Sequence, residues 1–144
     1  MLNVALVALL AAFQPSPPAQ PELKGQACTA RELVGTWQFT SKPSMPMPEV
    51  TSVLKHITPT HFFVVRIGAK DVVTSGHGGP YTLANGTYTE TLQHGFGAVF
   101  DRARGASVSF QCRLDGDTWH IVGEYQGTRI DEQWKRVSGT SGQR

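Results

Sequence analysis

The segment 87–94, with the sequence TYTETLQH, combines the residue types of a binding or acid–base site. Side chains alternate between the two faces of a strand. One face of this segment therefore carries Tyr88, Glu90, Leu92 and His94. It is the more apolar face, because threonine occupies most positions of the other one. The alternation predicts that a carboxylate and an imidazole point into the interior of the protein.

Polar residues on other predicted strands face the same interior. In the last strand Ile130 and Trp134 define the inward positions, and Glu132 lies between them. In the third strand an apolar alternation that begins at Phe63 brings His61 inward. We expect these side chains to line a pocket together with aromatic residues of later strands. The predicted pocket residues are Tyr88, Glu90, His94, Glu132, His61, Phe63, Phe110 and Trp119.

The second strand gives two conflicting signals about its inward face. Lysine is among the side chains that are seldom buried, so Lys55 predicts that its own face points to solvent. Val53 and Ile57 share that face and would then point outward. Leu54 and His56 would point inward in the same arrangement. This strand therefore defines its inward face only weakly.

Three functions are compatible with a partly polar interior. The preferred one is the binding of a small ligand that has a cation or hydrogen-bond donor at one end and an apolar body. In the second, Glu90 or an inward histidine acts as the acid or base of a small enzyme. In the third, the polar groups form an internal network in a filled interior that binds nothing. We expect binding rather than catalysis.

Motifs for other chemistries are missing from the sequence. The five histidines show no short spacing of the kind that metal sites use. They are His56, His61, His77, His94 and His120. The chain also lacks a Gly-x-Ser-x-Gly elbow and a phosphate-binding loop. We therefore predict no metal, no cofactor and no catalytic nucleophile.

Charge and cysteine content restrict the class of partner and the compartment. The formal net charge is +2 with 17% charged residues, which is too small and scattered for a nucleic-acid surface. The partner expected is a small molecule, and the composition indicates no oligomeric state. Two cysteines, Cys28 and Cys112, would pair in an oxidising compartment. Such a bond would tie the segment before the first strand to the wall of the domain.

The first twenty residues have the pattern of an export signal. Residues 2–13, LNVALVALLAAF, are almost wholly apolar and precede a proline-rich stretch. The apolar run is too short to span a bilayer, so no integral membrane span is predicted. We expect a signal peptide at 1–20, a proline-containing leader at 21–29, a β-barrel domain at 30–138 and a flexible tail at 139–144. The expected location is secreted or periplasmic.

Alternation and turn residues predict an all-β domain from residue 30 onward. The predicted strands are 33–41, 50–57, 61–67, 71–84 with an interruption at 77–79, 87–94, 106–114, 118–125 and 129–137. Most connections are too short for parallel crossovers, so neighbours should pair antiparallel in chain order. Roughly eight such strands bury their apolar faces most economically in an up-and-down barrel, although a two-sheet sandwich is also possible.

The motif LVGTW at 33–37 opens the first strand and resembles the Gly-x-Trp signature of the lipocalin and fatty-acid-binding (calycin) superfamily. Its matching residues are Gly35 and Trp37. Further stretches resemble short bacterial lipocalin-like proteins, namely ITPTHF, GGPYT, GTYTE and LDGDTWHIVGEY. The resemblance implies an eight-stranded barrel in which Trp37 closes one end and Arg136 of the last strand packs over it. It also implies binding, since most barrels of that superfamily bind and few catalyse.

Overall fold

The computed structural model describes residues 23–41 and 49–137. The predicted signal peptide at 1–20, the start of the leader and the tail at 139–144 lie outside the described residues. Neither helix within the described ranges is long and apolar enough to cross a membrane. Most of the described chain is extended, as alternation and turn spacing predict.

The elements follow one another along the chain with short connections. They are β1 (Gln26–Ala27), α1 (Ala30–Leu33), β2 (Gly35–Phe39), β3 (Val50–Ile57), β4 (His61–Gly68), a 3-10 turn (Ala69–Asp71), β5 (Val73–Ala84), β6 (Thr87–Thr91), β7 (His94–Phe96), α2 (Ala98–Ala103), β8 (Ser107–Asp115), β9 (Thr118–Tyr125) and β10 (Thr128–Arg136). The strand bounds agree with the sequence-based ones within a few residues.

Eight of these strands form a closed antiparallel barrel. Going round the wall they are β2, β3, β4, β5, β6, β8, β9 and β10, and β10 pairs back onto β2. Closure leaves no long unpaired edge, which removes the usual route to edge-to-edge aggregation. The predicted all-β class and eight-stranded up-and-down barrel are therefore confirmed. The short strand β1 adds to one edge of β8 beyond the end of β6.

The barrel has two different ends. At the first, which we call the closed end, lie α1 and the tight turns at 58–60, 85–86 and 116–117. At the second, the open end, lie the connections 69–72, 92–106 and 126–127. Asn85 and Gly86 both have positive φ, as a primed hairpin turn requires.

Two predicted strands differ from the observed ones. β5 continues without interruption through Gly78 and Gly79, because both glycines pair with β4 in regular register. The glycines instead create room: a Cβ at Gly78 would lie 2.4 Å from the Phe63 ring. The predicted strand 87–94 ends at Thr91, and the chain then forms β7 and the helix α2, whose Phe100 is 1% exposed and joins the core. Neither β7 nor α2 was predicted.

A stacked pair seals the closed end. The Arg136 guanidinium carbon lies 4.1 Å from the centre of a Trp37 ring, and its Nη1 donates to the Val34 carbonyl at 3.1 Å. The Trp37 Nε1 donates to the Leu33 carbonyl at 2.8 Å. The same arginine also donates to the Glu32 carbonyl. These contacts join the barrel wall, the stacked arginine and α1, and they bury the Trp37 side chain completely.

A disulfide fixes the chain that leads into the barrel. Cys28 and Cys112 are joined with their Cα atoms 5.6 Å apart across 84 residues of sequence. Cys112 points inward from β8 and is fully buried. The leader reaches it because Cys28 follows β1, which pairs with β8 beside the closed end. Trp119 Nε1 also contacts the Cys112 sulfur at 3.1 Å.

Candidate functional site

A buried ion pair lies at the centre of the barrel. Lys55 Nζ donates to Glu90 Oε1 at 2.8 Å, and the two side chains are 3% and 6% exposed. Both residues belong to strands of opposite walls, β3 and β6, so the pair spans the interior. Glu90 thus points inward, as the alternation predicted, and Lys55 is the cation that pairs with it. Arg136 does not pair with Glu90, because it stacks on Trp37 at the closed end.

Three aromatic rings surround the ammonium group of this pair. Lys55 Nζ lies 4.6 Å from a Trp134 ring centre, 5.0 Å from one in Trp119 and 5.9 Å from the Tyr88 ring centre. Each distance is within the range in which an aromatic face attracts a cation. The rings also exclude water, which strengthens the attraction between lysine and Glu90. The lysine therefore fills a cage that the barrel itself provides.

The direction of β3 follows from its register rather than from its charge. Lys55 pairs with Trp37, whose side chain is fully buried inside the barrel. Residues directly opposite in a sheet share a face, so Lys55 points inward with Val53 and Ile57. The expectation that Leu54 and His56 face inward is therefore wrong: His56 is exposed and bonds Thr36 on the outer surface.

A second cation lies nearer the open end. Arg66 Nη1 donates to His77 Nδ1 at 3.3 Å, which requires an unprotonated acceptor nitrogen. Burial, followed by the charges of Arg66 and Lys55, lowers the pKa of His77 from 6.5 to about 3. His77 is therefore neutral near pH 7. Among the described residues, Arg66 Nε is buried without any hydrogen-bond partner.

Glu132 faces this cation from β10. Trp134 Nε1 donates to Glu132 Oε2 at 3.0 Å. Burial raises the pKa of Glu132, and the Glu90 carboxylate adds to the rise, while Lys55 and Arg66 oppose it. Glu132 lies on the inner face of β10 and is half-buried.

Tyr88 contributes a further hydroxyl to the interior. Its side chain is fully buried, and burial first and the Glu90 carboxylate second raise its pKa well above the ordinary value. The hydroxyl interacts electrostatically with Glu90 but makes no hydrogen bond of ordinary length and angle within the described part of the chain. A buried hydroxyl without a hydrogen bond costs free energy unless another group accepts a hydrogen bond from it.

Three of the predicted pocket residues lie on the outer surface. His61 and His94 are exposed, and Phe63 is 40% exposed. On β4 the inward residues are Phe62, Val64 and Arg66, the opposite set from the predicted one. The sequence HFFVVRIG is apolar on both faces, so periodicity could not choose between them. His94 lies outside because the strand carrying Glu90 ends before it and β7 begins with a new pairing.

The other predicted pocket residues do point inward, and they meet groups that the sequence did not single out. Tyr88, Glu90, Phe110 and Trp119 are buried, and Glu132 is half-buried on the inner face. The missed members of the interior polar cluster are Lys55, Arg66 and His77. A usable signal existed for β3, where the apolar residues at 53 and 57 share the face of Lys55.

Two other features are separate from this interior cluster. A cleft of about 400 Å³ lies outside the closed end, between the N-terminal segment and the turn that joins β8 to β9; its lining includes Glu32, Asp117 and Arg136. Within residues 23–41 and 49–137, no three His, Cys, Asp or Glu side chains are arranged to hold a metal ion.

We predict that the buried ion pair is strongly coupled. Lys55→Met leaves Glu90 charged and unpaired inside the barrel, and it should lower the free energy of unfolding by about 3–5 kcal/mol. Adding Glu90→Leu should recover most of that loss, because two apolar side chains need no partner. Urea denaturation of both variants measures the effect. Lys135→Met on the outer surface is the control and should change stability by less than about 0.5 kcal/mol. Additive losses would show that the pair is not coupled.

We also predict that His77 makes folding sensitive to acid. Its pKa is about 3 in the folded protein and 6.5 when unperturbed, so between these values the unfolded chain binds a proton and the folded one does not. Stability should therefore fall on acidification by about 1.4 kcal/mol per pH unit across that window. His77→Gln keeps an acceptor for Arg66 but cannot titrate. Its free energy of unfolding should therefore fall less steeply on acidification, by about 1.4 kcal/mol per pH unit across the same window. Parallel curves of unfolding free energy against pH for the two proteins would contradict this.

Comparison with known proteins supports the architecture. No protein-family model matches the chain, and no curated protein matches it. Among solved structures, the chain is similar to a lipocalin-like protein from Bacteroides uniformis ATCC 8492, with 17% sequence identity and a TM-score of 0.51. The alignment covers 74% of this chain and 99% of that one. A likeness at this identity shows the fold alone. The chain has a lipocalin-like barrel fold.

Proposed function

We propose that this protein binds a small amphipathic molecule inside the barrel, with the polar end of the ligand at Arg66 and Tyr88. The observation that carries the proposal is the buried Nε of Arg66, a charged donor that has no partner among the described residues. Buried polar groups in native proteins are nearly always hydrogen-bonded, and an unmet one calls for a specific reason. A bound ligand supplies the missing acceptor.

The charges of the interior favour an acceptor, in particular an anion, as the polar end of the ligand. Lys55 and Glu90 neutralise each other at 2.8 Å. Burial raises the pKa of Glu132, and His77 is neutral. Among the described residues, Arg66 is the interior cation that makes no ion pair. The sequence predicted a ligand whose polar end is a cation or hydrogen-bond donor. Because Lys55 already provides the cation that pairs with Glu90, an anionic end is favoured instead.

The apolar body of the ligand would extend toward the open end. Phe39 and Ile130 pack against the core near that end and are only partly buried. Leu92 and Phe100 are buried on the side where α2 covers the barrel. Eight-stranded barrels of this type have interiors wide enough for one small ligand. An apolar chain or ring placed there would bury Phe39 and Ile130 further.

The two competing functions receive less support from the geometry. A general base works best with a pKa near the operating pH, whereas that of His77 is about 3. Glu90 is held by Lys55, and the exposed histidines are remote from the interior. A filled barrel without a ligand would keep four charged side chains inside at a desolvation cost of several kcal/mol each. In such a barrel the buried Nε of Arg66 would remain without a hydrogen-bond acceptor, which would lower the stability of the fold.

We predict that the barrel prefers an anionic ligand and that Arg66 is responsible. Octanoate and octanol serve as matched probes, since they share a chain and differ in charge. Calorimetric titration should show octanoate binding about tenfold more tightly, because a charge-assisted hydrogen bond contributes about 1.5–3 kcal/mol. Arg66→Met should remove that preference while octanol binds as before.

Arg129→Met provides the matched control, because Arg129 is exposed on β10 and pairs only with Asp131 there. It should leave both affinities unchanged. Equal binding of the two probes to the parent protein would contradict an anionic site. If neither probe binds and protein isolated from its native host carries no small molecule, the barrel is filled and the proposed function is wrong.

We further propose that the protein is secreted or periplasmic. The signal-like apolar run at 2–13 and the Cys28–Cys112 disulfide support this, because disulfides persist in oxidising compartments. Protein recovered from the envelope or medium of its host should carry no free thiol when alkylated and weighed intact. Recovery from the cytosol with two alkylated cysteines would contradict both export and the bond.

A further inference from the structure

The outer surface of the barrel is unevenly charged. The strands β3, β4, β5 and β7 contain only two Lys, Arg, Asp or Glu residues, Lys55 and Arg66, and both point inward. We call the outward residues of these four strands the uncharged face. The opposite wall is ordinary by contrast: β9 and β10 carry Glu124, Arg129 and Lys135 on their outward side.

Apolar side chains occupy the middle of the uncharged face. Phe63 and Phe96 are 40% and 48% exposed, and Val73 is 46% exposed. Leu54 and Val65 lie beside them in register and are partly exposed. Both phenylalanine rings approach Gly76, since a Cβ there would lie 3.4 and 3.5 Å from them. Because Gly76 has no side chain, both rings can approach the same position of β5, which places the two exposed phenylalanines beside one another.

Such a surface is unusual for a sheet that faces water. Exposed sheet faces normally carry charged side chains, and contiguous apolar patches on monomers are small. The cores of protein interfaces, in contrast, are depleted in charge and enriched in aromatic residues. We propose that the uncharged face is the interface of a homodimer, in which two copies of this chain pack face to face.

Neutrality favours a second copy as the occupant, and the area allows a weak dimer. A two-fold interface packs this face against the same face of the other copy, so neither side brings a charged group that would lose its hydration without a partner. A partner with charged groups would lose their hydration here and find no opposite charge in return. Four strands about 4.8 Å apart and about eight residues long cover roughly 500 Å². That is near the lower limit for a specific interface, so the dimer should be weak and reversible.

The test is sedimentation velocity of the full chain over a concentration series up to the millimolar range. The parent should shift from monomer to dimer with increasing concentration. Phe63→Lys places two like charges across the two-fold axis and should weaken dimerisation at least about tenfold. Because Phe63 also covers Gly78, Phe96→Lys is the second variant, and thermal melting verifies that each is folded. Gln133→Lys, an exposed change on β10, should dimerise like the parent.

A parent that stays monomeric at every concentration overturns the proposal. So does a dimer that neither lysine variant weakens, which would place the interface elsewhere. If the monomer instead binds vesicles of uncharged phosphatidylcholine and the lysine variants do not, the face meets a lipid surface, and the homodimer is again wrong. The outcome does not depend on the ligand proposed for the interior.

Discussion

Closure of the barrel by pairing of β10 with β2 is the constraint on which the rest of the structure depends. Arg136 pairs with Trp37 in that register, which brings the guanidinium onto the indole and seals one end. The same register sets the parity of β3, and Lys55 is directed inward by its pairing with Trp37. Without closure, β2 and β10 would be edge strands and these inward positions would have no opposite wall.

On three strands of the barrel, charged side chains point into the interior and not to solvent. On β3, β4 and β6 each strand carries a single charged residue, and each of these points inside. Burial of the Lys55 and Glu90 charges is tolerated because they meet at 2.8 Å inside an aromatic cage. Arg66 has no such complete arrangement. The difference between a satisfied and an unsatisfied cation separates the structural part of the interior from the part that we propose binds a ligand.

The order of these groups along the barrel also suits a one-ended binding site. Disulfide, stacked arginine and α1 fill the closed end, so no ligand enters there. The ion pair and the indoles form the next layer. Glu132 and Arg66 lie two residues nearer the open end than Trp134 and Val64 on their strands, and both retain exposed surface. A polar ligand end would therefore stop at this layer and leave its apolar body near the mouth.

Sequence alone determined the class, the strand bounds and much of the parity. Period-two alternation is a local property, so β6, β9 and β10, each with one more apolar face, indicated their inward residues and placed Glu90, Trp119 and Glu132 inside. The Gly-x-Trp motif likewise indicated the closed end, and the cysteine pair predicted a bond from the leading segment to the barrel wall. What only the tertiary structure decided was which side of β3 and β4 faces in. HFFVVRIG is apolar on both faces, and Lys55 looks like a solvent-facing residue until Glu90, 35 positions later, is known to lie opposite. A buried charge is stable only with its partner present, and that partner is defined by the closed barrel rather than by neighbours in the chain.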